Sequence, residues 1–140
     1  MSRIMAIDYG TKRIGLAVTD PERIIATALD TVHSGKVIDY LKNYLQHEHV
    51  EFFVIGMPRQ MNNTPSSAAP FVEEFIKKLY KAFPEIPVKT IDERFTSKIA
   101  KESMLLDGTK KSDRRNKELI DQRSAVLILQ SYMEMNKSKL

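Results

Sequence analysis

The sequence predicts an α/β fold: one mixed five-stranded sheet, three antiparallel meander strands then two parallel ones, with helices on both faces. Three observations predict it. The first thirty-odd residues read as short apolar strands joined by tight turns, and short connections make antiparallel neighbours. Beyond residue 36 helical and strand spacings alternate, so later strands return in parallel through helical crossovers. Phe52-Phe53-Val54-Ile55 is an unbroken apolar run, as expected of a strand buried on both faces.

The elements follow in order. Residues 3–8 are a short apolar run ending in a carboxylate, and Asp8-Tyr9-Gly10-Thr11-Lys12 turns the chain, with Gly10 supplying permissive backbone. Ile14 to Val18 pairs back as a hairpin strand, Thr19-Asp20-Pro21-Glu22 turns again, and Ile24 to Val32 is the third strand. Val37, Ile38, Leu41, Tyr44 and Leu45 recur at helical spacing and predict a helix over 36–49. The apolar run at 52–55 ends at Gly56-Met57-Pro58, and residues 59–67 are polar and form a loop. Phe71, Phe75, Leu79 and Phe83 mark a helix stopped near Pro84. Val88 to Ile91 is a strand closed by Asp92-Glu93. Thr96 caps a helix covering Ile99 to Leu106, residues 107–115 form a basic loop, and a last helix runs over 116–135. No repeat, low-complexity tract or long linker interrupts the chain, so residues 1–140 are read as one domain.

Composition excludes several classes. There is no cysteine, so neither disulfides nor thiolate metal sites exist. The acid at position 8 comes too early for the apolar core of a signal peptide. No apolar run approaches the roughly 20 residues of a membrane span, and the expected place is the cytoplasm. The net charge of +4 is mild, but its distribution is uneven. Between Lys98 and Arg123 eight basic residues, Lys110, Lys111, Arg114 and Arg115 among them, face five acidic ones, which accounts for three of the four net charges. Such clustering is either a solvated loop and helix face or the footprint of a phosphate-backbone binder.

Three sets of carboxylates stand where a core would not choose them. Asp8 closes one apolar strand, and Asp92 and Glu93 close another. In open α/β sheets ligands gather at the carboxyl ends of strands, although strand-end acids also simply begin turns. Asp121 lies four, seven, eight and eleven residues before Ala125, Ile128, Leu129 and Tyr132, on the stripe that should face the core. A buried carboxylate there requires a cation, a hydrogen-bond network or solvent access, and Arg123 or a nearby lysine is the structural alternative to a metal. Carboxylates without cysteine or paired histidine favour Mg²⁺ or Mn²⁺ over Zn²⁺. His33 stands alone, and His47 and His49 are two apart on different sides of a helix, so none is read as a ligand.

Four segments resemble the YqgF/RuvX family. They are Asp8-Tyr9-Gly10-Thr11-Lys12-Arg13-Ile14-Gly15-Leu16-Ala17; Gly56-Met57-Pro58 with Met61-Asn62; Asp92-Glu93-Arg94-Phe95-Thr96; and Asp121-Gln122-Arg123-Ser124-Ala125 with Ile128, Leu129 and Tyr132. They come in family order and span residues 4–132. The resemblance implies an RNase H-like fold, similar to the Holliday-junction resolvase RuvC. It implies metal-dependent phosphodiester hydrolysis in the cytoplasm, with Asp8, Glu93 and Asp121 as catalytic and metal-binding acids and Asp92 as the alternate for Glu93. The expected metal is Mg²⁺ or Mn²⁺, as a pair of ions sharing Asp8. Lys12, Arg13, Arg94, Lys110, Lys111, Arg114 and Arg115 are the expected nucleic-acid contacts, Arg94 alternatively pairing with an acid. The implied task is maturation of the 5′ end of pre-16S rRNA, on ribosomal precursor particles; branched DNA and non-catalytic binding of structured RNA are the alternatives. The expected state is a monomer or a homodimer.

Two positions depart from the pattern: Ser124 stands where RuvC carries a further acid, and Asn63 where the family carries glycine. Asp-x-Gly-Thr also opens the phosphate loop of actin-like ATPases and sugar kinases. Those need a second domain and a second phosphate loop, for which 140 residues leave no room.

Overall fold

The computed structural model describes residues 2–57, 69–92 and 114–135. The chain runs β1 (Arg3–Asp8), β2 (Arg13–Thr19), β3 (Ala26–His33), a 3-10 turn (Ser34–Lys36), α1 (Val37–Leu45), β4 (Val50–Met57), α2 (Ala69–Ala82), β5 (Val88–Asp92) and α3 (Arg114–Met135). The strands form one sheet in the order β3-β2-β1-β4-β5. β1, β2 and β3 pair antiparallel, and β4 and β5 lie parallel to β1. This is the expected mixed sheet. The loop expected over 59–67, the helix over Ile99 to Leu106 and most of the basic loop lie outside the described residues.

Strand alternation sorts the core into two layers. Met5, Ile7, Ile14, Leu16, Phe53 and Ile55 point to one face and pack with Val37 and Leu41 of α1 and Val72, Phe75 and Leu79 of α2. Ile4, Ala6, Ala17, Phe52, Val54 and Ile91 point to the other and pack with Ala125, Ile128 and Leu129 of α3. Helix α3 crosses β2, β3 and β1. The small residues Ala6 and Ala17 let it lie close to the sheet. No described helix is long and apolar enough to cross a membrane.

Three boundaries differ from the sequence reading, each for a local reason. The third strand begins at Ala26, not Ile24. The Asp20 carboxylate accepts the backbone N–H groups of Ile24 and Ile25, both at 2.7 Å, and so takes them out of the ladder. These two amide bonds, Ile25 first, hold the Asp20 carboxyl below its ordinary range. Arg23 in the same turn has φ 61°, in the left-handed region. Helix α1 ends at Leu45 because the next amides fold back: Gln46 bonds to the Asn43 carbonyl, and His47 and Glu48 to that of Tyr44. Helix α3 begins at Arg114, so Arg114 and Arg115 stand in its first turn and not in the basic loop assigned to 107–115.

Leu129 is fully buried between α3 and the sheet. Leu129→Ala is expected to cost about 2–5 kcal/mol in urea unfolding, whereas a loss below about 1 kcal/mol would mean that α3 does not close this face.

Candidate active site

Asp8 is the last residue of β1, the central strand. Ile4 and Ala6 precede it on the α3 face, so alternation turns Asp8 to that face too. The burial of the strand explains why the acid stands here. Residues 4–7 are wholly enclosed, and Asp8 is the first position where the chain is partly exposed. A carboxylate one or two residues earlier would be buried among apolar side chains at high cost.

The neighbours of Asp8 on the sheet are glycines. Gly15 is its partner across the β1–β2 ladder. Gly56 is the next residue of β4 beyond the Ile7–Ile55 pair. Both fall on the α3 face, since Ala17 and Val54, two residues away, pack there. A glycine in a strand weakens it and marks close approach of something to the backbone. Both glycines are buried, and on either flank of Asp8 the sheet carries no side chain. In the sequence Gly15 and Gly56 stand only as letters of motifs. The signal was their spacing: each interrupts a strand of otherwise apolar residues at the height of the acid.

The other predicted acids lie on elements that lead to this edge. Asp92 is the last residue of β5, and its backbone pairs with Met57. Asp121 stands in α3, one helical turn before the buried Ala125. Glu93, Arg94, Lys110 and Lys111 lie outside the described residues. Among the described residues no three acids or histidines gather closely enough to hold a metal ion. Of the predicted acids Asp8 alone has a described side chain. Of the predicted cations, Lys12 is exposed in the turn after Asp8, and Arg13 opens β2 and is half-buried. His33 does not face the site; its Nδ1 accepts the Gly35 N–H at 3.0 Å. Met57 packs against the α1–α2 core as filler.

The turn carrying Lys12 is closely built. Tyr9 packs on Phe75 of α2, with ring centroids 4.8 Å apart. Gly10 has no room for a side chain, because a Cβ there would meet the Arg13 carbonyl oxygen at 2.4 Å.

The mixed sheet, with an acid ending its central strand under a long helix, is an RNase H-like fold, the fold also seen in RuvC. Thermus thermophilus RuvC, solved in complex with a Holliday junction substrate, superposes with a TM-score of 0.55 over 96% of both chains at 18% identity. A second Thermus thermophilus RuvC structure gives a TM-score of 0.57 over the same shares. Within that class the chain belongs to the RuvX family, whose model, described as Holliday junction resolvase, matches residues 2–135. Among its relatives is a Bacteroides fragilis protein, 51% identical over 96% of this chain and 97% of that protein. Another, from Parabacteroides distasonis, is 49% identical over the full length of both. Each bears the name "Putative pre-16S rRNA nuclease".

Gly10→Ala must displace the turn or the Arg13 carbonyl. It is expected to lower stability by about 1–3 kcal/mol and to shift the amide resonances of residues 9–13. An unchanged spectrum would show that the close approach is not real.

Proposed function

We propose that this chain is a metal-dependent endonuclease that hydrolyses phosphodiester bonds in the 5′ region of pre-16S rRNA. The observation that carries the reading is Asp8, set at the end of the central strand between Gly15 and Gly56, in a chain of the RuvX family. The names of its relatives supply the substrate.

The catalytic set is Asp8, Glu93 and Asp121. Ile91 packs under α3, and a strand returns to the same face at every second residue, which favours Glu93 over Asp92. Helical periodicity carries the sheet-facing stripe of Ala125, Ile128 and Leu129 back to position 121. The donor set fits Mg²⁺ or Mn²⁺: oxygen ligands throughout, an acid at the rim of the buried layer, and a floor without side chains on both sides of it. Such ions, when bound, supply a nucleophilic hydroxide and neutralise charge on the scissile phosphate. Asp8 and Asp121 would hold them, with Glu93 completing the shell. Lys12 and Arg13, next to Asp8, contact the scissile strand, and Lys110, Lys111, Arg114 and Arg115 grip flanking phosphates. These contacts give affinity and little sequence choice. The compartment is the cytoplasm, where precursor rRNA is found.

Ser124 bears on the choice of substrate. It is a buried residue of α3, at 2% exposure, at the position where the resemblance to RuvC expects a further acid. The lighter ligand set favours rRNA processing over junction resolution.

Asp8→Asn is expected to lower Mg²⁺- or Mn²⁺-dependent cleavage at least about 100-fold while folding and substrate binding persist. The measurement is turnover on a panel of 5′-extended 16S precursor RNA and four-way DNA junctions. Equal turnover by wild type and variant sinks the assignment, and binding without cleavage of any substrate favours a non-catalytic RNA-binding protein. Reversing charge at Lys110 and Lys111 together should weaken binding and flatten its dependence on salt by about two phosphate contacts. An unchanged salt titration would remove those lysines from the contact surface.

A further inference from the structure

Lys12 lies at the tip of the hairpin that begins at Asp8, exposed and on a turn between two strands. A lysine so placed samples many directions unless its backbone is held. Both peptide units that flank Lys12 are held, and by the same residue. The Ser34 hydroxyl donates to the Thr11 carbonyl at 2.7 Å, which belongs to the peptide plane entering Lys12. The Ser34 backbone N–H donates to the Lys12 carbonyl at 3.0 Å, which belongs to the plane leaving it. Fixing both planes fixes φ and ψ at Lys12, and with them the direction of its Cα–Cβ bond. Ser34 is fixed in turn: it opens the 3-10 turn after β3, and His33 caps that turn through its bond to the Gly35 N–H. Arg13 and His33 are also partners across the β2–β3 ladder, so the clamp is anchored to the sheet on both sides.

We infer that Ser34 is a positioning residue: by clamping the Thr11 and Lys12 carbonyls it aims the Lys12 ammonium along the sheet edge where Asp8 stands. The hairpin does not need this bond for its own folding. Its strands pair from Asp8–Gly15 to Met5–Val18, and Leu16 and Ala17 are buried. The hydroxyl bond is exposed and spans 23 residues. Its use lies in direction, not in holding the fold together. The inference rests on the proposal that Lys12 contacts nucleic-acid phosphate, but not on cleavage.

The test is therefore made on binding, in EDTA, with a fluorescein-labelled RNA stem-loop carrying a single-stranded 5′ extension, titrated from about 50 to 300 mM KCl. Lys12→Ala should weaken binding and reduce the salt slope by about one. Ser34→Ala should do much the same, with a melting temperature within about 4 °C of wild type. The double variant Lys12→Ala/Ser34→Ala should bind no worse than Lys12→Ala alone, because residues that act through one another are not additive. Ser34→Thr keeps the hydroxyl and should bind like wild type, and it decides the matter if Ser34→Ala proves too unstable to assay. Wild-type binding by Ser34→Ala overturns the inference. So do multiplied losses in the double variant, failure of Ser34→Thr to restore binding, or no binding by the wild type. A wild type that binds with these slopes yet never cleaves with Mg²⁺ or Mn²⁺ would sink the nuclease proposal and leave the role of Ser34 standing.

Discussion

Strand β1 runs through the middle of the sheet with a helical layer on each face, and this double enclosure governs what surrounds it. Every side chain from Ile4 to Ile7 is buried, so polar chemistry has no place along the strand and is confined to its ends. Both ends are secured. At the start, the Thr19 hydroxyl accepts the Ile4 N–H at 3.0 Å, and Arg3 donates to the Thr19 carbonyl and pairs with Glu48 at 3.1 Å. Thr19 is fully buried, and that bond satisfies a polar group that would otherwise be costly there. At the other end stand Asp8 and the turn that Gly10, Tyr9 and Ser34 hold in place. A strand fixed at both ends sets its last carboxylate within a narrow range of positions, as a preorganised site requires.

The glycines beside Asp8 show what the enclosure demands of the neighbours. Gly15 and Gly56 weaken β2 and β4, since glycine loses more conformational freedom on folding than any other residue and brings no side chain to the core. They stand at the height of Asp8 on the two strands that flank β1, on the face where α3 packs. The apolar layers around them, Leu16 and Ala17 on one side and Val54 and Ile55 on the other, carry the stability that the glycines forgo. The two glycines thus cost stability locally in strands that are otherwise strongly formed.

Much of this was legible in the sequence because hydrophobic spacing and turn chemistry are local signals. The hairpin, the doubly buried β4 and the sheet-facing stripe of α3 all follow from residues within a few positions of one another. Errors arose where a side chain competes with the backbone ladder. Ile24 and Ile25 look like strand, but the Asp20 carboxylate captures their amides. Arg114 and Arg115 look like loop because they continue a basic stretch, although Ser112 and Asp113 just before them are residue types that cap helices. The role of Ser34 was invisible for another reason: its partner at Thr11 is 23 residues away, and only the β2–β3 ladder brings the two together. The place of Asp8 at the end of β1 was legible since strand burial predicts where a carboxylate is tolerable, whereas the glycines that flank it needed the register of three strands at once.

The start of α3 completes the electrostatic picture. A helix N-terminus carries partial positive charge and favours acids in its first turn, yet α3 opens with Arg114 and Arg115 and has no acid there. Each such cation costs about 0.3–1 kcal/mol in an isolated helix. The direction of α3 gives the arrangement meaning. Its far end packs Tyr132 on Phe52, near the beginning of β4, so its first turn lies toward the opposite edge of the sheet, where β1 ends at Asp8. Arg114 and Arg115 in the first turn of α3 and Lys12 after β1 are thus basic residues on elements that lead to the end of β1 where Asp8 stands.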